Sequence, residues 1–323
     1  MRRSILLASV IASAGFLLCM PAVAQDYPNK PIRLIVPWSP GGGTDVLARI
    51  VAAKLSEGLK QQVIVENKAG AASLIGMTAV ANAAPDGYTF GLATSNLASN
   101  PYLYAQHPFD VARDLAPVVL VSKGVYAMAV HPSMPVKTVG ELAALAKANP
   151  DKYNAAMIGA GAPPHLALAQ FTSMTGAKIV GINYKGAGPA MAATVAGETQ
   201  LLFSSYATMS PMVEAGRLRV LAVTSAKRTA AAPLVPTADE SGLPGFIFDE
   251  WYAVFAPAKT PRAAIDRINL EVRKVLEMPD VRERMRGLAS EPSAGTPEEL
   301  GDFVRSEMRR FAKLIADNNI KAE

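Results

Sequence analysis

Strand-like and helix-like stretches alternate along almost the whole of this 323-residue chain, a rhythm that predicts an α/β protein of right-handed βαβ units on mostly parallel sheets. Two glycine-rich turns, at 41–43 and 159–161, each follow an apolar strand pattern and lead into a helix. Once a leader-like N-terminus is set aside, about 300 residues remain, enough for two ordinary cores. Two lobes are therefore expected, each a doubly wound, mostly parallel sheet, with a cleft between them. One lobe is assigned residues 25–123 plus 249–323 and the other 124–248. The chain would cross over near 122–124 and return along a strand at 246–255, after the proline-rich stretch 233–244.

The elements follow in order. Residues 32–36 are apolar except for Arg33 and read as a buried strand. Beyond the turn, Val46, Leu47, Ile50, Val51, Leu55 and Leu59 recur at helical spacing, with Thr44 as the expected N-cap. A short strand at 63–65, a helix at 73–83 and a Pro85-Asp86-Gly87 turn precede a strand at 88–93. Strands at 115–121 and 126–130 lead to Thr138-Val139-Gly140-Glu141, a capping box heading a helix to Asn149. Strands at 153–158, 178–184, 199–203 and 218–223 alternate with helices in the second lobe. Thr260-Pro261 is expected to cap one closing helix, and Thr296-Pro297-Glu298-Glu299 a second.

Composition says where such a protein works. Arg2 and Arg3, an apolar run over 5–20 and the small residues Ala22-Val23-Ala24 form a secretory signal over residues 1–24, cleaved before Gln25. No later stretch has the roughly 18 uninterrupted apolar residues of a membrane span. The single cysteine, Cys19, falls inside the signal, and Leu18 before it is too large for a lipid-attachment motif, so the mature chain has no disulfide. Losing the two leader arginines takes the formal charge from +5 to +3. The densest basic cluster, Arg282, Arg284 and Arg286, is broken by Glu283 and reads as a solvated helix face, which argues against nucleic acid as a partner.

The chemistry lies in the turns. Pro37-Trp38-Ser39-Pro40-Gly41-Gly42-Gly43-Thr44-Asp45 joins a strand to a helix N-terminus, where free N–H groups and the helix dipole favour an anion. The glycine spacing fits neither a dinucleotide nor a nucleoside triphosphate loop, and Asp45 would repel a multiply charged phosphate, so a carboxylate is the better-sized anion. Gly159-Ala160-Gly161-Ala162-Pro163-Pro164-His165 repeats the arrangement in the second lobe. Facing each other across the cleft, the two turns would hold an anion between two helix N-termini. Candidate ligand-binding residues are thus Trp38, Ser39, Gly42, Gly43, Thr44 and Asp45 from the first turn and Gly161, Ala162, Pro163 and His165 from the second. Thr94, Ser95 and Asn96, and Ser204, Ser205 and Tyr206, add polar groups at strand ends, of which Ser95, Asn96, Ser204 and Ser205 are taken as site residues. Tyr184 and Trp251 are candidate apolar walls; Lys185 reads as solvated.

An enzyme is not expected. His107, His131 and His165 each adjoin a proline and none stands at metal-ligand spacing from another; no Gly-x-Ser-x-Gly elbow or His-Glu-x-x-His occurs. No metal and no cofactor are indicated.

These residues also carry a resemblance. Tyr27-Pro28-Asn29-Lys30-Pro31-Ile32-Arg33-Leu34-Ile35-Val36-Pro37 with the glycine turn, Val65-Glu66-Asn67-Lys68-Ala69-Gly70, Ala84-Pro85-Asp86-Gly87-Tyr88-Thr89, Pro163-Pro164-His165-Leu166, Tyr184-Lys185-Gly186, Ala222-Val223-Thr224-Ser225-Ala226-Lys227-Arg228 and Trp251 to Phe255 with Ala256-Pro257-Ala258 occur in order. Over nearly the full mature length the chain resembles the Bug-type solute receptors of tripartite tricarboxylate transporters. The resemblance implies a two-lobed, periplasmic binding protein-like fold of type II, closing on a small organic acid in the periplasm and docking on membrane permease subunits. It implies a ligand carboxylate held by the turns at 40–45 and 159–165, partly through water. Ala162 and Pro164 stand where hydroxyl residues are frequent, and Trp38 is a bulky form of a usually aromatic position. Ser204-Ser205 replaces acidic or amide residues, which argues against a ligand ammonium. A mono- or dicarboxylate with an apolar or aromatic body, bound by a monomer, is the expectation. Rival readings are a carboxylate-sensing co-receptor for a signalling membrane protein and a secreted hydrolase of the same architecture.

Overall fold

The computed structural model describes residues 27–158 and 161–320. The signal peptide with Cys19, and Gly159 and Ala160 of the second turn, lie outside these residues. The first sheet holds β1 (Ile32–Val36), β2 (Val63–Asn67), β3 (Thr89–Thr94), β4 (Leu115–Gly124), β10 (Glu250–Pro257) and β11 (Ser290–Pro292), in the order β11-β4-β10-β3-β1-β2. The second holds β5 (Tyr126–Val130), β6 (Asn154–Met157), β7 (Val180–Asn183), β8 (Leu201–Ser205) and β9 (Arg219–Val223), in the order β7-β6-β8-β5-β9. The plan repeats. β1 runs parallel to β2 and β3, and β6 parallel to β7 and β8. In each sheet the strand that has just crossed from the other lies antiparallel between two neighbours: β10 between β3 and β4, β5 between β8 and β9.

Around the first sheet lie α1 (Gly43–Leu59), α2 (Leu74–Ala81), α3 (Asn96–Leu103), the single turn α4 (Val111–Asp114), α9 (Arg262–Glu277), α10 (Pro279–Gly287) and α11 (Pro297–Asp317). Around the second lie α5 (Val139–Ala148), α6 (Pro163–Thr175), α7 (Ala187–Ala196) and α8 (Tyr206–Glu214). Both faces of β1 are covered, as a central parallel strand requires. Ile32, Leu34 and Val36 join Leu47, Ile50, Val51, Ile268 and Val272 in one core, while Ile35 points into another. That other core is continuous from one sheet to the other. It takes in Leu97 and Leu103 of α3, Phe311 of α11, Phe171 of α6, Phe203 of β8, and Phe246 and Phe248 before β10. The rings of Phe248 and Phe311 are 6.3 Å apart, and those of Tyr126 and Phe248 5.8 Å. Helix α11 packs on α3, β4 and α6, closing the back of the molecule.

Several local expectations are corrected. Gly42, not Thr44, is the N-cap of α1, and Thr44 sits in its first turn. Thr260 caps nothing: Pro261 holds the N-cap position of α9. Thr138 accepts the Glu141 N–H as expected, but the Glu141 carboxylate takes the Lys137 N–H, so the box is only half closed. At Thr296 both bonds form. The return strand begins at Glu250 because Phe246 and Phe248 are pulled into the shared core. There the Phe248 N–H donates to the Thr224 carbonyl, and the Thr224 hydroxyl to the Phe248 carbonyl.

Phe248 ties the returning chain to both halves of this core. Phe248→Ala is expected to lower unfolding free energy by about 3–5 kcal/mol, read from the urea midpoint at unchanged slope.

Candidate functional site

The first glycine turn is pinned from behind. Gly41 adopts φ +82°, a left-handed conformation that favours glycine. Its N–H donates to Asp45 Oδ2 at 2.9 Å, and Arg49 Nε donates to the same oxygen at 3.0 Å. Asn67 Nδ2 donates to Asp45 Oδ1 at 2.9 Å and to the Trp38 carbonyl at 3.0 Å. Asp45 is thus buried and fully engaged. The Arg49 hydrogen bond, helped by Gly41 and Asn67 and opposed by burial, holds its carboxyl down at about 2. With Gly42 as N-cap, no side chain caps α1, so its first-turn N–H groups are left open.

The second turn is braced too. Gly161 has φ +72°, and a Cβ there would meet Leu103 Cδ1 of α3 at 2.4 Å. Its N–H donates to His165 Nδ1 at 2.9 Å, so Nδ1 carries no proton, and burial pushes the imidazole down towards the neutral form.

Between the sheets lies a cavity of about 770 Å³, within the range of small-molecule clefts. Five helices begin on its wall: α1 at Gly42, Gly43 and Thr44, α3 at Asn96, α6 at Pro163, α7 at Ala187, and α8 with Ser205, Ala207 and Thr208. Each follows a strand of its sheet, so the cavity collects five N-terminal dipole ends. Trp38 and Asn96 are on the wall as well, and the Trp38 Nε1 and Asn96 Oδ1 atoms are buried without a partner. Buried polar atoms are seldom left so, and a ligand or water in the cavity would satisfy them.

Of the residues the sequence singled out, Trp38, Ser39, Gly42, Gly43, Thr44, Asn96, Pro163, Ser204 and Ser205 line this cavity. Asp45, Ser95, Gly161, Ala162 and His165 do not. Asp45 braces the turn, and His165 lines a separate cavity of about 240 Å³ with Asn318 and Ile320. Trp251, a candidate wall, is instead fully buried and donates through Nε1 to Glu307 at 3.3 Å. Tyr184 packs against the core beneath the second sheet. Sequence reasoning missed Tyr126, Glu250, Tyr252 and Ser290. Strand alternation could have found two of them: with Trp251 in the core, residues 250 and 252 must face the opposite side. Glu250 is the one charged side chain on the wall among the described residues. Burial raises its carboxyl to about 7, against the Tyr252 hydroxyl, which donates to Oε2 at 3.0 Å. No cluster of His, Cys, Asp and Glu among the described residues could hold a metal ion. Nor, among them, is any helix long and apolar enough to cross a membrane.

Comparison with known proteins matches residues 47–320 to the family described as tripartite tricarboxylate transporter family receptor. The chain belongs to this family. It is 35% identical to Protein BugT of Bordetella pertussis over 313 residues, covering 96% of this chain and 95% of that protein. Two solved structures share its two-lobed, periplasmic binding protein-like fold. One, from R. palustris with adipate, is 32% identical with TM-score 0.83, covering 92% of this chain and 99% of that one. The other, MatC from Rhodopseudomonas palustris with bound malate, is 27% identical with TM-score 0.77, covering 90% and 100%. These are solute-binding receptors, not enzymes.

The Asp45 brace has a pH signature. A carboxyl depressed in the fold stabilises it above the unfolded pKa, and that contribution fades as pH falls towards the folded value. Asp45→Asn is expected to cost about 1.5–3 kcal/mol at pH 7, with the gap from wild type narrowing below about pH 4 in urea titrations.

Proposed function

We propose that this receptor captures a small organic carboxylate with an apolar or aromatic body and delivers it to the permease subunits of a tripartite transporter. One observation carries the reading: five helix N-termini converge on a cavity whose wall, among the described residues, holds no cation. A single carboxylate suits such a site, because partial positive charge from backbone N–H groups can solvate it without a lysine or arginine. Adipate and malate in the two relatives support the same class.

In this reading the carboxylate accepts from the N–H groups of Gly42, Gly43 and Thr44 of α1, with Pro163 of α6, which has no N–H, as an apolar contact on the other side. Asn96, Ser204 and Ser205 orient the remainder, and Trp38, Tyr126 and Tyr252 supply apolar wall. Residues 25–123 with 249–323 move against 124–248 about the crossovers, and the ligand selects the closed population. The protein works in the periplasm as a monomer, after removal of residues 1–24.

Thermal-shift titration of the mature, ligand-stripped protein against organic acids, amino acids, sugars and phosphates tests the class. A ligand at a hundred times its Kd adds about 2.7 kcal/mol of stability. Shifts from carboxylate-bearing compounds alone are expected; shifts from sugars or phosphates alone would overturn the reading. Position 43 tests the turn. A Cβ on Gly43 meets nothing within 4 Å and needs no unusual backbone, so Gly43→Val is expected to fold normally and place its methyls in the cavity. Ligand affinity should fall at least about tenfold, the equivalent of about 1.4 kcal/mol; wild-type affinity in the folded variant would remove this turn from the site.

A further inference from the structure

The short segment after α10 serves two cavities. Gly287, Leu288 and Ser290 line the ligand cavity, while Ala289 and Ser290 line a separate space of about 470 Å³. Three arginines stand around this second space. Arg228 comes from the loop after β9 of the second sheet; Arg282 and Arg286, about one helical turn apart on α10, come from the side of the first. Glu291 is the one acid on the wall among the described residues, and in register it lies beside Lys123 of β4. Each guanidinium spends only part of its donors. Arg228 uses Nε on Glu240 at 2.8 Å and Nη1 on the Pro233 carbonyl at 3.3 Å, and Arg286 uses Nη1 on Glu283. Arg282 donates through Nε to the Leu276 carbonyl at 3.0 Å and pairs with no carboxylate among the described residues. Next to Arg228 the Val235 N–H closes a turn on the Ala232 carbonyl at 3.0 Å, and at its corner Leu234 is 91% exposed. The Val125 N–H donates to the Ala289 carbonyl at 3.0 Å, which ties the crossover to the wall of this cavity.

We propose that the arginine-lined cavity, with Leu234 beside it, is the docking surface for an acidic segment of a partner protein, one that carries Asp or Glu side chains next to an apolar pocket. The inference rests on the delivery role proposed above and names the face that delivery uses. Guanidinium forks take carboxylates two bonds at a time, and the unspent donors of three arginines around one space suit two or more acids better than one. Until such acids arrive, like charges from two elements share a cavity, and their repulsion stands. Leu234 adds the apolar anchor that a partner's pocket can desolvate, held ready by the fixed backbone of Pro233. A free phosphate or a nucleic acid backbone would make no use of it. The two sides of the cavity belong to different sheets. Rotation about Val125 therefore changes the spacing between Arg228 and the α10 pair, and a partner that needs all three reads the lobe position as it docks. The basic cluster at 282–286 reads as a solvated helix face in sequence; Arg228, far back along the chain, makes it one side of a cavity.

The test follows uptake of a labelled carboxylate that the mature protein binds, in source cells deleted for the gene and complemented with the full chain or its variants. Arg228→Glu, Arg286→Glu and Leu234→Asp are each expected to cut uptake at least about tenfold, while the purified variants keep the wild-type affinity for the carboxylate. A benzophenone photo-cross-linker in place of Leu234 should attach to a membrane protein at a segment rich in Asp or Glu. Reversing one of those acids to Arg should restore uptake through Arg286→Glu. Full uptake through all three variants would overturn the inference and spare the delivery reading. So would ligand affinity falling in step with uptake, or a cross-link to lipid, to a second copy of this chain or to a segment without acids. Uptake that does not depend on the gene would remove the delivery reading and the inference with it. If Arg228→Glu, which loses the bonds to Glu240 and Pro233, fails to fold, the exposed positions 286 and 234 still decide.

Discussion

The placing of β10 between β3 and β4 is the constraint on which the rest of the structure depends. A strand that began in the second lobe completes the first sheet, pairing along Glu250 to Pro257 with β4 and through Tyr252 to Phe255 with β3. Because β5 does the converse for the second sheet, neither sheet is complete without chain from the other side. The two passages lie side by side, so any rotation of one sheet against the other must be taken up in the few residues around Val125 and Asp249. The aromatic core of Phe246, Phe248, Trp251 and Phe311 fills the space behind them. The front is left open, and α1, α3, α6, α7 and α8 start at the cleft. A cavity ringed by helix N-termini in front and an apolar core behind are two consequences of one topology.

How far the sequence disclosed this can be judged element by element. The strand β1 and the helix α1 were legible because parallel strands are continuously apolar and the helix repeats Leu47, Ile50, Val51, Leu55 and Leu59 on one face. The capping box at Thr296 was legible because its two bonds are made within four residues. Interactions closed over long sequence distances were not. Phe246 and Phe248 look like the beginning of a strand, but the Phe246 N–H turns back to the Leu243 carbonyl, and Thr224, 24 residues away, takes both backbone bonds of Phe248. The same distinction governs the site. Gly42, Gly43, Thr44 and Pro163, which line the cavity, could be singled out because a strand, a tight turn and a helix start are local signals. Asp45 and His165 have the look of ligand contacts in a one-dimensional reading, but their partners Gly41, Asn67 and Gly161 show them bracing the turns instead. Tyr126, Glu250 and Tyr252 were overlooked because their strands come to the cleft only through the double crossover.

The division of labour in the turns also follows from electrostatics. A helix N-terminus can offer its N–H groups to a ligand only if its own chain has not consumed them. Asp45 takes the N–H of Gly41, outside the helix, and leaves the first-turn donors of α1 alone. A serine or aspartate at position 42 would cap those donors internally and stabilise the helix while filling the site. Gly42 gives up that stabilisation, and the network of Asp45, Arg49 and Asn67 restores the loop's rigidity from the far side, where it does not compete with a ligand.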